Sequence, residues 1–76
     1  ENSSVECNVS PNPATEYLKV TGMDNLLKME LLDLNGVVIS SSDKDEMDLP
    51  ASLSGKFLLR IYDINLNVVV QKVIVK

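Results

Sequence analysis

Gly55-Lys56-Phe57-Leu58-Leu59-Arg60-Ile61-Tyr62 is the stretch that decides the fold. Phe57, Leu59 and Ile61 fall on one side of an extended chain, and Leu58, Arg60 and Tyr62 fall on the other. This is the period-2 pattern of a strand with one fully apolar face and one mixed face. Phe57 is the only Phe in a chain without Trp, so it is the largest apolar group available to a core. The strand is therefore placed at the centre of a small β-sandwich.

Outward from that strand the chain alternates between short apolar runs and turn residues. Upstream, Val5 to Val9 reads as a first strand, stopped at Ser10-Pro11-Asn12-Pro13, where two prolines remove donors and fix φ. Glu16 to Thr21 resumes the alternation with Leu18 and Val20 inward, and Gly22-Met23-Asp24-Asn25 is a turn. Leu27, Met29 and Leu31 alternate cleanly as a third strand, and a phase shift over Leu32-Asp33-Leu34 suggests a bulge. Asn35-Gly36 between apolar runs predicts a two-residue type I′ hairpin returning through Val37 to Ser40. An amphipathic helix over residues 26–34 is the competing reading, and the strict alternation argues against it.

Met47-Asp48-Leu49 reads as a short strand ended by Pro50, and residues 51–55 as a bend with room for a helical turn. Beyond the central strand, Asp63 to Asn67 is a second hairpin loop and Val68 to Val75 the last strand. Val68 and Val70 are out of phase with Val73 and Val75, which calls for a bulge near Gln71 or for cover on both faces. Seven short antiparallel strands with turn signals about every ten residues describe an all-β, immunoglobulin-like sandwich. No internal repeat stands out, and no linker divides residues 1–76, which read as a single domain.

The totals agree with this. Seventy-six residues lie near the lower limit for a hydrophobic core without disulfides or metal. The composition is 45% apolar and 24% charged, a globular profile, with the apolar share mostly aliphatic. Seven basic against eleven acidic groups give a net charge of −4, with no Lys/Arg cluster in sequence. Nucleic acid and anionic membrane are therefore poor partners, and no apolar run approaches the roughly 20 residues of a membrane span. Glu1-Asn2-Ser3-Ser4 lacks the basic and apolar regions of a signal peptide. Either the domain is cytosolic or it belongs to a longer precursor that carries the signal.

The residues offer little chemistry. There is no histidine, which removes the commonest general base, every Ser-His or Cys-His pair and most zinc sites. Cys7 is the only cysteine; it alternates with Val5 and Val9 and reads as a buried small hydrophobe. Asp43, Asp45, Glu46 and Asp48 form the richest acidic cluster, but they lack the glycine turn and distal Glu of a calcium loop and read as a solvated loop. Asn2-Ser3-Ser4 and Asn8-Val9-Ser10 match a glycosylation pattern short enough to arise by chance. Tyr17 and Tyr62 could offer platforms for a sugar ring, which keeps open an accessory binding or spacer module gripping carbohydrate or protein. No catalytic residue, metal site or cofactor is expected, and the reading is of a non-enzyme.

Four segments in order carry a family resemblance. Val9-Ser10-Pro11-Asn12-Pro13-Ala14-Thr15-Glu16-Tyr17-Leu18 resembles the opening of the type A C-terminal sorting domain of the Bacteroidetes type IX (Por) secretion system, where a PNPA segment separates two strands. Leu31-Leu32-Asp33-Leu34-Asn35-Gly36-Val37-Val38 is similar to that family's hairpin, with Val37 where Lys is frequent. Leu49-Pro50 and Leu53 to Ile61 are similar to its segment around Gly55 and Leu59-Arg60-Ile61, with Phe57 in place of Tyr. Gln71-Lys72-Val73-Ile74-Val75-Lys76 resembles its terminal segment. The resemblance spans residues 9–76.

It implies a sorting label rather than a catalyst. In the family, such a domain ends a larger cargo protein that reaches the periplasm and is then secreted or attached at the cell surface. The partners implied are an outer-membrane translocon with its shuttle and a sortase-like peptidase; the isolated domain is expected to be a monomer. The residues implicated in partner recognition are Pro11, Asn12, Pro13, Gly36, Gly55, Lys72 and Lys76, with the final strand as the segment a partner would capture.

Overall fold

The computed structural model describes residues 7–11, 16–23 and 25–76. These form seven strands: β1 (Asn8–Ser10), β2 (Tyr17–Thr21), β3 (Leu26–Leu32), β4 (Val38–Ser42), β5 (Glu46–Asp48), β6 (Gly55–Asp63) and β7 (Val68–Val75). They build two antiparallel sheets, a three-stranded one in the order β1-β2-β5 and a four-stranded one in the order β4-β3-β6-β7. The all-β sandwich is as expected, and residues 26–32 are strand. A constant-type immunoglobulin domain places its fourth strand on the first sheet; here β4 pairs with β3 on the other.

β6 is central, as its alternation predicts. It pairs with β3 on one side and along its length with β7 on the other. Phe57, Leu59, Ile61 and Asp63 face inward and are buried, whereas Leu58, Arg60 and Tyr62 face outward and are half-buried. Cross-strand rows then stack the core: Met29, Ile61 and Val69 form one row, Leu31, Leu59 and Gln71 the next, and Phe57 with Val73 the third. Leu18, Val20, Met47 and Leu49 close over them from the other sheet, and Leu18, Met29, Leu31, Leu59, Ile61 and Val73 are fully shut from water. At about 25 cal/mol per Å² of apolar surface, each such residue contributes on the order of 1.5–3 kcal/mol against the ordering entropy of the chain.

Several expectations need correcting. The first described strand begins at Asn8, with Cys7 just ahead of it, so the expected segment from Val5 starts outside the described residues. Leu27 does not share a face with Met29: Leu26 pairs with Asp63 and Lys28 with Tyr62, so Leu27 is the extra residue of a bulge and is exposed. The phase shift read at Leu32 is a bulge of the partner strand. Leu31 pairs with Ser40 and Leu32 with Val38, leaving Ile39 unopposed. Residues 50–53 make a turn closed by the Leu53 N–H donating to the Pro50 carbonyl, not a helical segment.

The last strand has neither a bulge nor double cover. Its register with β6 is unbroken from Val68 to Val75. The polar residue Gln71 takes an inward position between Val69 and Val73, while Val68 and Val70 face out and are about half exposed. Gln71 tolerates that position because its Nε2 donates to the Cys7 carbonyl at 2.9 Å, so the amide is not left unpaired on the inner face.

The two hairpin loops have the same construction. In the first, the Asp33 N–H donates to the Val37 carbonyl and the Gly36 N–H to the Asp33 carbonyl, with Gly36 at φ +89. Asn35 is not at positive φ, so the expected two-residue type I′ turn is instead a three-residue loop with a left-handed residue in third place. The Asp33 carboxylate draws it closed, accepting from the Asn35 and Val37 N–H groups at 2.8 and 2.9 Å. Asp63-Ile64-Asn65-Leu66-Asn67 repeats this bond for bond, with Leu66 at φ +64 in the glycine's place.

Candidate recognition surface

Strand direction sorts the connections to two ends of the sandwich. Each strand runs opposite to its partners. The exit of β1 at Pro11, the β3–β4 loop with Gly36, the β5–β6 connection to Gly55 and the final residue Lys76 therefore gather at one end. The β2–β3, β4–β5 and β6–β7 loops gather at the other.

Pro11 is half-buried, and Asn12 and Pro13 lie outside the described residues. Gly36 stands exposed at a loop tip at φ +89, where an added Cβ would meet nothing within 4 Å. Gly55 opens β6 at φ +118 opposite Val75; an added Cβ would lie 3.9 Å from Phe57, so backbone conformation rather than space selects glycine there. Lys72 is exposed on the outward face of β7 opposite Leu58, and Lys76 is exposed beyond its end. Pro11, Gly36, Gly55 and Lys76 thus share one end, and Lys72 stands a few residues from it on the same sheet.

The most developed polar cluster on an outer face is one the sequence reading missed. Glu30 and Arg60 are cross-strand partners on β3 and β6, as are Lys28 and Tyr62 one row along. The Glu30 Oε1 accepts from Arg60 Nε and Nη2 at 3.1 and 2.8 Å and from the Tyr62 hydroxyl at 2.9 Å. Lys28 Nζ sits 4.8 Å from the Tyr62 ring centroid, within cation–π range. The Arg60 hydrogen bonds, seconded by Tyr62, hold the Glu30 carboxyl below the usual carboxylate range. Burial and the bond to Glu30 push the Tyr62 phenol above its usual value. The signal lay in the one-residue spacing Arg60-x-Tyr62 set against Lys28-x-Glu30, legible only once the two strands are known to pair.

This cluster ties Glu30 to two donors and sets the Lys28 amine over the Tyr62 ring. Tyr17 is on the outer face of β2, on the opposite side of the sandwich from Tyr62, so the two tyrosines form no common platform. Asp63 is buried and accepts three hydrogen bonds: the Asn67 side chain first, with the N–H groups of Asn67 and Asn65, keeps its carboxyl low against the burial that would raise it. Cys7 is half-buried, and burial raises its thiol despite a bond from Gln71. Among the described residues, no His/Cys/Asp/Glu group is arranged to hold a metal ion, and no helix is long and apolar enough to cross a membrane.

No curated protein and no solved structure matches the chain. A family model does, over residues 8–76, and its description is "Secretion system C-terminal sorting domain". With nearly the whole chain matched, this protein belongs to the family of type IX secretion C-terminal sorting domains.

Proposed function

We propose that residues 1–76 are a single non-catalytic sorting domain that directs a larger cargo protein across the outer membrane by the type IX system. The observation that carries this reading is the family match over residues 8–76, which runs from β1 to the last residue and so takes in the whole sandwich. In this reading the cargo reaches the periplasm, the folded domain is engaged by the translocon and its shuttle, and a sortase-like peptidase removes it. The cargo is then secreted or kept at the cell surface. Pro11, Asn12, Pro13, Gly36, Gly55, Lys72 and Lys76 are the residues assigned to recognition; the clustering of four of them at one end favours a single footprint. The domain works as a monomer and binds neither nucleic acid nor cofactor.

The test is a reporter carrying an N-terminal signal peptide and residues 1–76, produced in a host with the pathway. Export that depends on the translocon supports the reading. A reporter held in the periplasm while an established label exports it from the same host refutes it.

A further inference from the structure

The net charge of −4 conceals a basic face. The outward residues of the four-stranded sheet fall into cross-strand rows over β3, β6 and β7: Lys28, Tyr62 and Val68; then Glu30, Arg60 and Val70; then Leu32, Leu58 and Lys72; then Lys56 and Ile74. Four of the seven cationic side chains stand there, against one of the eight acidic ones among the described residues, a net charge of +3 for the described part of this face. The single acid there among the described residues, Glu30, is occupied by Arg60. Lys28, Lys56 and Lys72 therefore have no salt-bridge partner among the described residues, and Lys56 and Lys72 are diagonal neighbours with like charge. On the outer face of the other sheet the balance reverses, with Glu46 and Asp48 against Lys19.

The apolar part of this basic face is also unusual. Val38, Val68, Val70 and Ile74 are 40–55% exposed around the half-buried Leu58 and Tyr62. Strand propensity favours Val and Ile at these positions, but it does not gather them beside lysines that have no carboxylate partner among the described residues. An interface does: arginine and tyrosine are enriched in such surfaces, and a charged rim suits a contact steered by electrostatics. Nine residues at about 3.3 Å and three strands at about 4.8 Å give a face of roughly 430 Å². Doubled over two partners it comes to roughly 860 Å², the size of a weak, transient contact.

We infer that the outward face of β3, β6 and β7 docks an acidic protein surface, with Lys28, Lys56 and Lys72 steering the encounter and Leu58, Val70 and Ile74 buried on contact. Charge complementarity selects the occupant. A lipid surface fits less well, because these aliphatics stand on paired strands with the Glu30–Arg60 ion pair among them rather than on an amphipathic helix that could insert. The location of the acidic surface on the secretion translocon rests on the sorting reading; the docking face itself rests on the charges and exposures above.

The experiment measures binding of purified residues 1–76 to three probes: opened outer-membrane sheets, periplasmic face accessible, from a host with the pathway, the same sheets from that host lacking the translocon, and protein-free liposomes of the extracted lipids. The expected result is binding to the first probe only, weakened at high salt. Lys56→Glu with Lys72→Glu is expected to weaken it by at least about tenfold, and Lys19→Glu with Lys44→Glu to leave it unchanged. Urea unfolding of both variants verifies the fold, and Lys56→Gln with Lys72→Gln gives a milder loss in the same direction. Equal weakening by the two charge-reversed pairs, equal binding to liposomes, or no binding to any probe overturns the inference. Export of the wild-type reporter is scored separately, so failure of the docking face and failure of the sorting reading are told apart.

Discussion

Asp33 and Asp63 occupy equivalent positions in the two hairpins, each accepting through Oδ1 from the N–H groups two and four residues ahead. The two loops differ at the left-handed position, which is Gly36 in one and Leu66 in the other. That difference gives the sharpest prediction about stability. A side chain in the left-handed region costs about 1–2 kcal/mol, while glycine adds roughly 0.5–1 kcal/mol of unfolded-state entropy to be lost. Leu66 is 71% exposed and contributes little burial. Leu66→Gly is therefore expected to stabilise by about 0.5–1 kcal/mol, and Gly36→Leu to destabilise by a similar amount, both read from urea midpoints.

Acid should unfold the domain partly through Asp63. Its carboxyl is lowered by the Asn67 and Asn65 bonds, so it contributes stability above the unfolded-state value of about 3.9, and that contribution disappears as pH falls through the folded-state value. Glu30, lowered by Arg60 and Tyr62, acts in the same direction. Asp63→Asn should be less stable than the wild type at neutral pH and should lose less between neutrality and pH of about 3. Stability measured across that range checks it; parallel curves would contradict it.

The phenol of Tyr62 reports on the outer cluster. With Tyr17→Phe as background, absorbance titration should find Tyr62 ionising above the ordinary tyrosine value of about 10. Removing the Glu30 charge with Glu30→Gln should bring it down. The stability effect of that substitution should be small, about 1 kcal/mol or less, because the Arg60 side chain is 36% exposed and the pair is screened.

Leu59→Ala should cost about 2–5 kcal/mol, the range for deleting a fully buried leucine. Leu58→Ala, one residue away on the outward face, should cost less, since its environment is only half-buried. Denaturant unfolding of the pair tests the assigned faces of β6, and a reversed order would contradict them.

Most of the fold was legible because period-2 alternation needs only local sequence. β6 and β2 show it without interruption, and their buried sets, Phe57, Leu59 and Ile61 and then Leu18 and Val20, are the ones expected. The reading failed where a residue's face depends on a partner strand. Leu27 looks equivalent to Met29 until the bulge opposite Asp63 and Tyr62 displaces it. Gln71 looks like a break in β7 until Cys7, distant in sequence, supplies its partner. The type I′ expectation at Asn35-Gly36 failed because the side chain of Asp33, outside the dipeptide, sets the loop length. Recognition residues were nominated by resemblance alone; strand direction is what brings Pro11, Gly36, Gly55 and Lys76 to one end.

If the folded sandwich is what the secretion system reads, export must follow folding. The most direct measurement is the exported fraction of one reporter fused to residues 1–76, compared with the same fusion carrying Leu59→Asp, which places a charge at a fully buried position. Translocon-dependent export of the wild-type fusion and its loss in the variant are the predicted results. Export of both to the same extent, or of neither beside a functioning control label, would contradict the account.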